Sequence, residues 1–425
     1  MTSLYLLLWI AGAIALQIGL YLSLEFFRHW QELRNLRKLA AGMGGAVLSQ
    51  APLASPAATT LAWTGLRTFL VERKEAEDAA GQICSFYLVP EDGKPLPSFL
   101  PGQFLTFRLD VPTPTGSTNT VTRCYSLSGA PHRNAYRITI KRAPAPAGSA
   151  LAPGVSSNYF HDQVQVGSRL QVRAPSGHFH IEHSEAPVVL IGGGVGITPM
   201  LSMLDWCVAE QPGREVWLFY GVRDSTELVQ RAHLESLTAL HPHFHLHLCL
   251  SAPQAGEGVH KDHLHHGRVD VALLRRLLPL KPFHFYLCGP TPMLESLVPA
   301  LEDWGVPDGR IHFEAFGPAS VKRRTANTAL QTAASAEASD AGVMVTFAKS
   351  RKQLSWQSSS GSLLDLAEAN GITVSSGCRA GSCGSCQTRI QSGAVAYSQS
   401  PDFDPEPGSC LLCVCTPKTA VTLEA

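Results

Sequence analysis

The stretch Cys378-Arg-Ala-Gly-Ser-Cys383-Gly-Ser-Cys386, together with a second cysteine run near the end of the chain, constrains the fold more than any other part of the sequence. The spacing C-x4-C-x2-C…C is that of four thiolates around a [2Fe-2S] cluster, two to each iron. A tight loop carries three sulfurs to one side of the cluster and a distant segment brings the fourth. Gly377, Gly381 and Gly384 let such a loop close around an inorganic core and aim backbone N–H groups at its sulfurs. Zinc also binds four thiolates, but zinc knuckles pair short C-x2-4-C units rather than an asymmetric run. A disulfide fits less well, because Cys383 and Cys386 sit among glycines beside other thiols and no disulfide framework is visible elsewhere. The closing run Cys410-Leu-Leu-Cys413-Val-Cys415 offers three candidates for the fourth ligand.

A centre of this kind carries one electron and needs a donor elsewhere in the chain. At 425 residues there is room for about two to four domains. The 34 basic and 34 acidic residues cancel, which leaves no electrostatic footprint for nucleic acid. Eleven cysteines scattered over a chain this long read as cluster ligands plus buried thiols in a reducing compartment, not as a secreted disulfide scaffold.

Residues 4–24 contain no charge, and at 1.5 Å per residue they reach about 30 Å, the thickness of a bilayer core. Nothing before Leu4 is basic, as a signal peptide would require. Arg28, His29, Arg34, Arg37 and Lys38 follow, and the positive-inside rule then puts the N-terminus outside and the remaining domains in the cytoplasm. The expectation is a single-pass anchor at 4–24. A juxtamembrane helix and an Ala/Gly/Ser/Pro linker would occupy 28–60.

Beyond the linker, Gln82–Val89 and Phe104–Leu109 have strand patterns separated by Pro/Gly turns, as expected of an antiparallel barrel over 65–182. It contains Arg123-Cys-Tyr125-Ser126-Leu127. An Arg can clamp a phosphate, an aromatic ring can cover a flat ring, and a Ser can hydrogen-bond a ring nitrogen. In Gly154-Val-Ser-Ser157, small residues ahead of a helix can present N–H groups to phosphate. Four apolar residues, Val188–Ile191, then run into Gly192-Gly-Gly194-Val-Gly196-Ile-Thr198-Pro199. This is a buried parallel strand turning into a helix N-terminus, where a dinucleotide pyrophosphate finds close backbone approach. Pro199 is pre-set for the first helical turn. Further on, Phe285-Tyr-Leu-Cys288-Gly289-Pro290 is a strand ending at the ligand crevice of such a sheet. His241, His243, His245 and His247 alternate with apolar residues along 241–247. They would spread about 6–7 Å apart, so they read as a solvated or edge-strand face rather than a metal site.

Taken together, residues 81–318 resemble the ferredoxin–NADP reductase superfamily, and the text from Tyr159 to Met203 is especially similar to the reductase part of flavohaemoglobins. The resemblance implies that Arg123 binds the flavin phosphate, Tyr125 packs on the isoalloxazine and Ser126 bonds near N5. Gly154 and Ser157 would meet the pyrophosphate, which favours FAD over FMN. Cys124 fills the motif's variable position and receives no role. Gly194, Gly196, Thr198 and Pro199 fall on the nicotinamide nucleotide site. Cys288 falls beside nicotinamide C4, with Gly289 and Pro290 shaping its pocket. Glu314 would lie at the flavin–nicotinamide junction, and Phe316 over the flavin ring. Residues 342–425 resemble a plant-type [2Fe-2S] ferredoxin of β-grasp fold. Its C-L-x-C ending points to Cys413 as the partner of Cys378, Cys383 and Cys386, with Cys415 as the rival.

The implied architecture is multi-domain. A transmembrane helix at 4–24 precedes an FAD-binding antiparallel β-barrel at 65–182, an α/β NAD(P)-binding domain at 185–318, a linker at 319–341 and a ferredoxin-like domain at 342–425. The same order resembles the reductase components of oxygenases. The implied function is a membrane-anchored reductase passing electrons from NAD(P)H to FAD, to [2Fe-2S], to a membrane-associated oxygenase or hydroxylase partner. Two alternatives stand beside it: a self-contained oxidoreductase acting on a small molecule or quinone, and a tethered redox sensor or scaffold with little turnover. Nitric oxide dioxygenation is disfavoured, because 1–60 has no room for a globin. Arg223 and Asp224 leave NADH and NADPH both open, with a lean to NADH.

Overall fold

The computed structural model describes residues 62–113, 116–131, 134–145, 153–254, 263–316, 342–379, 381, 383–398, 401 and 403–425. Alternating apolar side chains set the first sheet, formed by β1 (Arg67–Ala76), β2 (Ile83–Pro90), β3 (Phe104–Pro112), β4 (Thr118–Ser126), β5 (Tyr136–Lys141) and β6 (Arg169–Ser176). Their order is β4-β3-β6-β1-β2-β5, all antiparallel. Leu127, directly after β4, bridges Ile138 of β5, so the two edge strands meet and the sheet closes into a barrel. Closure leaves no edge open to a foreign strand. The helix α1 (Val155–Asp162) plugs one end with Phe160, whose ring meets Phe86, Phe107 and Tyr125 edge-on at 5.2, 5.4 and 5.2 Å.

The second sheet is built from β7 (Val188–Gly193), β8 (Val216–Val222), β9 (Phe244–Leu250), β10 (Leu264–His266), β11 (His284–Gly289) and β12 (Ile311–Ala315), all parallel in the order β10-β9-β8-β7-β11-β12. Both faces are covered, which is why β7 is apolar throughout. Val188 and Leu190 enter one core with α2 (Ile197–Glu210) and α3 (Arg231–Leu240), while Val189 and Ile191 enter another with α4 (Val271–Leu277) and α5 (Thr291–Asp303). β7 is flanked by β8 on one side and β11 on the other, so its C-terminal end is the switch point where ligands of such sheets bind.

The third sheet collects β13 (Val343–Phe347), β14 (Lys352–Trp356), β15 (Gln387–Ser392), β17 (Ser409–Leu411) and β19 (Val421–Leu423), with β16 (Val395–Tyr397) and β18 (Cys415–Pro417) paired beside it. Only β13 and β19 run parallel. The helix α6 (Leu363–Ala369) lies across the sheet and starts at a reciprocal capping box between Ser362 and Asp365. Leu363, Leu364, Phe347, Leu411 and Leu423 form a separate core there, in a β-grasp arrangement.

Two expectations are corrected. No helix among the described residues is long and apolar enough to cross a membrane. The longest, α2, has 14 residues and reaches about 21 Å against the ~30 Å of a bilayer core, with its apolar side chains used in packing the α/β core. The span expected at 4–24 and the juxtamembrane segment at 28–60 lie outside the described residues, as does the linker at 319–341. The transmembrane helix is therefore removed from the fold class. With it go the membrane anchoring, the outside N-terminus, the cytoplasmic placement and the membrane-associated partner. The histidine-bearing strand is also not an edge: β9 pairs with β8 and β10, and His245 and His247 stack on the Trp217 ring at 4.1 and 5.5 Å.

Candidate active site

A cavity of about 530 Å³ opens where the barrel, the parallel sheet and the third domain meet, a volume suited to a cofactor-sized ligand. Arg123, Cys124, Tyr125 and Ser126 of β4 form one wall. Val195 and Thr198 from the turn after β7 form a second, and Glu314 and Phe316 at the end of β12 a third. Gly377, Cys378 and Arg379 close it from the third domain. Tyr125 is fixed by a 2.9 Å hydrogen bond between its hydroxyl and Ser156 of α1, and burial pushes its pKa up to about 12, so the hydroxyl stays protonated. The Arg123 guanidinium is exposed and, among the described residues, hydrogen-bonds the Thr122 carbonyl at 2.7 Å, which leaves it charge to spend on a phosphate. Gly154 and Ser157 do not line the cavity. Ser157 instead accepts from the Ala143 N–H at 3.2 Å and donates to the Gly154 carbonyl at 3.4 Å, which ties the start of α1 to the barrel.

The turn Gly194–Gly196 is a single 3-10 turn leading into α2, and the Thr198 hydroxyl closes it by donating to the Val195 carbonyl at 3.0 Å. A Cβ on Gly196 would overlap the Cys288 carbonyl, and one on Gly289 would overlap Met293 and the Gly193 backbone. Only glycine lets β7 and β11 bring their backbones this close at the switch point. Pro199 is buried in the first turn of α2, and Pro290 caps α5 in an extended conformation. Cys288 is fully buried at the end of β11, and desolvation holds its thiol well above the ordinary range, so it is no nucleophile. It stands opposite Glu314 in the β11–β12 register. Burial raises the Glu314 carboxyl to about 8, and its Oε2 is buried in the cavity wall without a hydrogen-bond partner among the described residues. An orphaned, protonated carboxyl facing a cavity is a donor waiting for a polar ligand.

In the third domain the backbone N–H of Cys378 donates to the Cys383 sulfur at 3.2 Å, and that of Cys383 to the Cys378 sulfur at 3.3 Å. The Cys386 and Cys413 sulfurs lie 3.2 Å apart. Four sulfurs thus fall into two pairs, the donor set of two tetrahedral irons, with backbone N–H groups already directed at sulfur. Cys415 is fully buried in the hydrophobic core and takes no part in the Cys386–Cys413 sulfur contact. Gly384 has φ +72° and lies against Phe403, whose ring a Cβ would strike. These features fit a [2Fe-2S] cluster on Cys378, Cys383, Cys386 and Cys413.

Three features escaped sequence reasoning. Cys124 shares a cavity wall with Cys378 of the third domain. Arg379, at φ +55°, is tied to Glu368 of α6. Glu227 gathers both Arg223 and Lys141, at 2.6 and 3.1 Å. All depend on segments far apart in sequence, and only the i,i+4 pair Arg223–Glu227 left a local signal. A fourth grouping, Glu182, His284 and His312, brings three donor atoms together. The two imidazole planes lie within 10° of parallel, with a 3.4 Å N···N contact and centroids 5.6 Å apart. Two nitrogens 3.4 Å apart match the ~3.3 Å separation of two imidazole ligands bound at ~2.0 Å to one tetrahedral cation.

Three family profiles match the chain: an oxidoreductase FAD-binding domain over 77–181, an oxidoreductase NAD-binding domain over 190–298 and a 2Fe-2S iron-sulfur cluster binding domain over 347–418. A flavohemoprotein of Halalkalibacterium halodurans is 38% identical over 258 residues, covering 60% of this chain and 61% of that protein. The chain thus spans about three fifths of the length of such relatives. A flavohemoprotein of Rhizobium meliloti is 34% identical over 296 residues, covering 69% of this chain and 70% of the relative. The crystal structure of the flavohem-like FAD/NAD-binding domain of a nitric oxide dioxygenase from Vibrio cholerae superposes with a TM-score of 0.52 at 35% identity, over 60% of this chain and 100% of that one.

Proposed function

Because the chain belongs to the ferredoxin–NADP reductase-like family of FAD- and NAD-binding oxidoreductases and carries a 2Fe-2S domain, we propose that it draws hydride from NADH and delivers single electrons to a small diffusible acceptor of quinone type. The observation that carries this reading is the shared cavity, whose walls are the flavin motif, the nucleotide turn and the cluster loop. FAD converts a two-electron donation into single electrons, and the [2Fe-2S] cluster releases them one at a time.

The chain's own residues supply position and electrostatics. Arg123 offers charge for a flavin phosphate, Tyr125 a fixed ring face, and Ser126 a buried hydroxyl, 5% exposed, at the cavity wall. Gly154 and Ser157 shape the start of α1 for the pyrophosphate. Gly194, Gly196, Thr198 and Pro199 present the turn to the nicotinamide nucleotide, and Gly289 and Pro290 border it. Cys288 and the protonated Glu314 face the flavin–nicotinamide junction, with Phe316 as a cover that nicotinamide must displace. Cys378 and Cys383 would hold one iron, Cys386 and Cys413 the other. We assign 65–182 to the flavin domain, 185–318 to the nucleotide domain and 342–425 to the cluster domain. The preference for NADH rests on Arg223. Its guanidinium is already paired with Glu227 at 2.6 Å, leaving little free charge for a 2′-phosphate.

The test is an anaerobic titration with NADH and then NADPH, following flavin absorbance and the paramagnetic signal of the reduced cluster, before a soluble quinone is added. Prompt flavin bleaching by NADH, a cluster signal after it, and loss of that signal on adding quinone are expected. A flavin that stays oxidised, or a cluster that quinone does not reoxidise, would overturn the reading.

A further inference from the structure

The chain crosses from the barrel to the parallel sheet between the end of β6 at Ser176 and the start of β7 at Val188. Glu182 lies in this crossover, and its backbone is held on both sides. Its N–H donates to the Tyr286 hydroxyl at 3.1 Å, and its carbonyl accepts from Arg214 Nη1 at 3.0 Å. Its side chain reaches towards His284, with Oε2 3.8 Å from Nδ1. His284 opens β11 and His312 is the second residue of β12, so both sit at the end of the sheet away from Cys288. At ~3.3 Å per residue, about 13 Å of strand separates His284 from Cys288. None of the three residues lines the shared cavity. One ligand atom from each, two imidazole nitrogens and a carboxylate oxygen, all lie within 4.8 Å of one another.

We propose that Glu182, His284 and His312 form a zinc site that ties this crossover to the parallel sheet. The 3.4 Å between His284 Nδ1 and His312 Nε2 exceeds the ~2.7–3.2 Å of ordinary hydrogen bonds, yet fits two ligands held at ~2.0 Å by one tetrahedral cation. The His312 ring is already oriented, stacked on Tyr286 with 4.5 Å between centroids and 12° between planes. Tyr286 thus serves two of the three ligands, one through its ring and one through its hydroxyl, and support of this kind from surrounding groups fixes ligands for a metal. The Glu182 side chain is 47% exposed and that of His284 15%, so the carboxylate can close the remaining gap while the imidazole stays held. Two imidazoles and one carboxylate suit zinc, with water in the fourth position, better than the all-oxygen shells of calcium or magnesium. Zinc undergoes no redox change, so the site stands outside the electron route proposed above. Its effect is mechanical: one ion joins the crossover, β11 and β12.

The experiment uses the full chain with flavin and cluster in place, so that the cluster thiolates are already occupied. The protein is dialysed against buffered micromolar zinc, and bound zinc is counted by plasma mass spectrometry alongside iron and flavin. One zinc per chain is expected. His284→Ala and His312→Ala should each weaken binding by at least about a hundredfold, and Glu182→Gln by about tenfold, with iron and flavin content unchanged. His265→Ala, at the other close imidazole pair (His247 Nδ1 to His265 Nε2, 3.0 Å), should bind zinc as the unaltered protein does. The X-ray absorption edge of zinc in the unaltered protein needs no variant, and it should show nitrogen and oxygen neighbours at ~2.0 Å and no sulfur at ~2.3 Å. Failure of the unaltered protein to bind zinc would overturn the proposal. So would sulfur around the metal, undiminished binding in the Glu182, His284 and His312 variants, or loss of binding in His265→Ala. No step involves NADH or a quinone, so a failure here is separable from a failure of the electron route.

Discussion

Glu314 bears the electrostatic cost of a buried carboxyl at the site. Its carboxyl titrates near 8 in the folded chain because burial penalises the anion, against an ordinary value of 4.5. Between these values the folded state holds a proton that the unfolded state has released. Stability therefore falls as pH rises from about 4.5 through about 8 and levels off above. Glu314→Gln removes that slope. In thermal melts the variant should match the unaltered protein near pH 5 and exceed it at pH 9, by roughly 1–3 kcal/mol; parallel curves across that range would refute a buried acid. At the cluster, Cys413→Ser should lose most of the bound iron and visible absorbance. Cys415→Ser should keep both, since Cys415 is packed inside the hydrophobic core. Spacing left those two cysteines undecided because both follow the same short run. What separates them is the 3-10 turn Leu412–Val414, which points alternate sulfurs in different directions.

Among elements, the switch point between β7 and β11 is the most tightly specified. Gly196→Ala places a methyl group against the Cys288 carbonyl and the Gly289 Cα, atoms of backbone that have nowhere to yield. We expect a loss of about 1–3 kcal/mol in stability and at least a tenfold rise in the KM for NADH, with flavin content retained. Normal NADH kinetics would mean that the two strands part more easily than the structure indicates. The order of elements was legible in the chain because local patterns wrote it: the apolar run at Val188–Ile191, the Gly-rich turn after it, and the Asn370-Gly371 stop of α6. The histidines of β9 were misread for the opposite reason. Their partners, Trp217 and Phe219, sit on a neighbouring strand about thirty residues earlier, and no periodicity within 241–247 announces a ring to stack upon. The uncharged run at 4–24 carried a strong local signal as well. A length of apolar sequence states what a segment tolerates around it, and no described helix supplies a span to go with it.

At the scale of the molecule, the third domain rests on the barrel through a layered contact. The Arg173 guanidinium of β6 lies 5.0 Å from the centre of the Phe403 ring, and the same ring fills the space a Cβ would take on Gly384 of the cluster loop. Such a cation–π contact stabilises by about 0.5–1 kcal/mol when partly exposed, too little to hold a fold but enough to hold an orientation. Arg173→Ala should therefore slow the appearance of reduced cluster several-fold in stopped-flow mixing with NADH, leaving flavin bleaching unchanged. Equal rates in both phases would show that the contact does not position the loop. Cys124 and Arg379 were illegible in the sequence for a related reason: the one shares a cavity wall with Cys378 across the boundary between two domains, the other meets Glu368 across a chain reversal.

That boundary also bears on how the protein is made. Cys383 and Cys386 are only 3% and 2% exposed, while Cys378 lines the cavity that the flavin motif also borders. Flavin and the builders of the cluster would therefore share one approach. A chain loaded with flavin before iron should take up its cluster more slowly, read as visible absorbance, than one given iron and sulfide first.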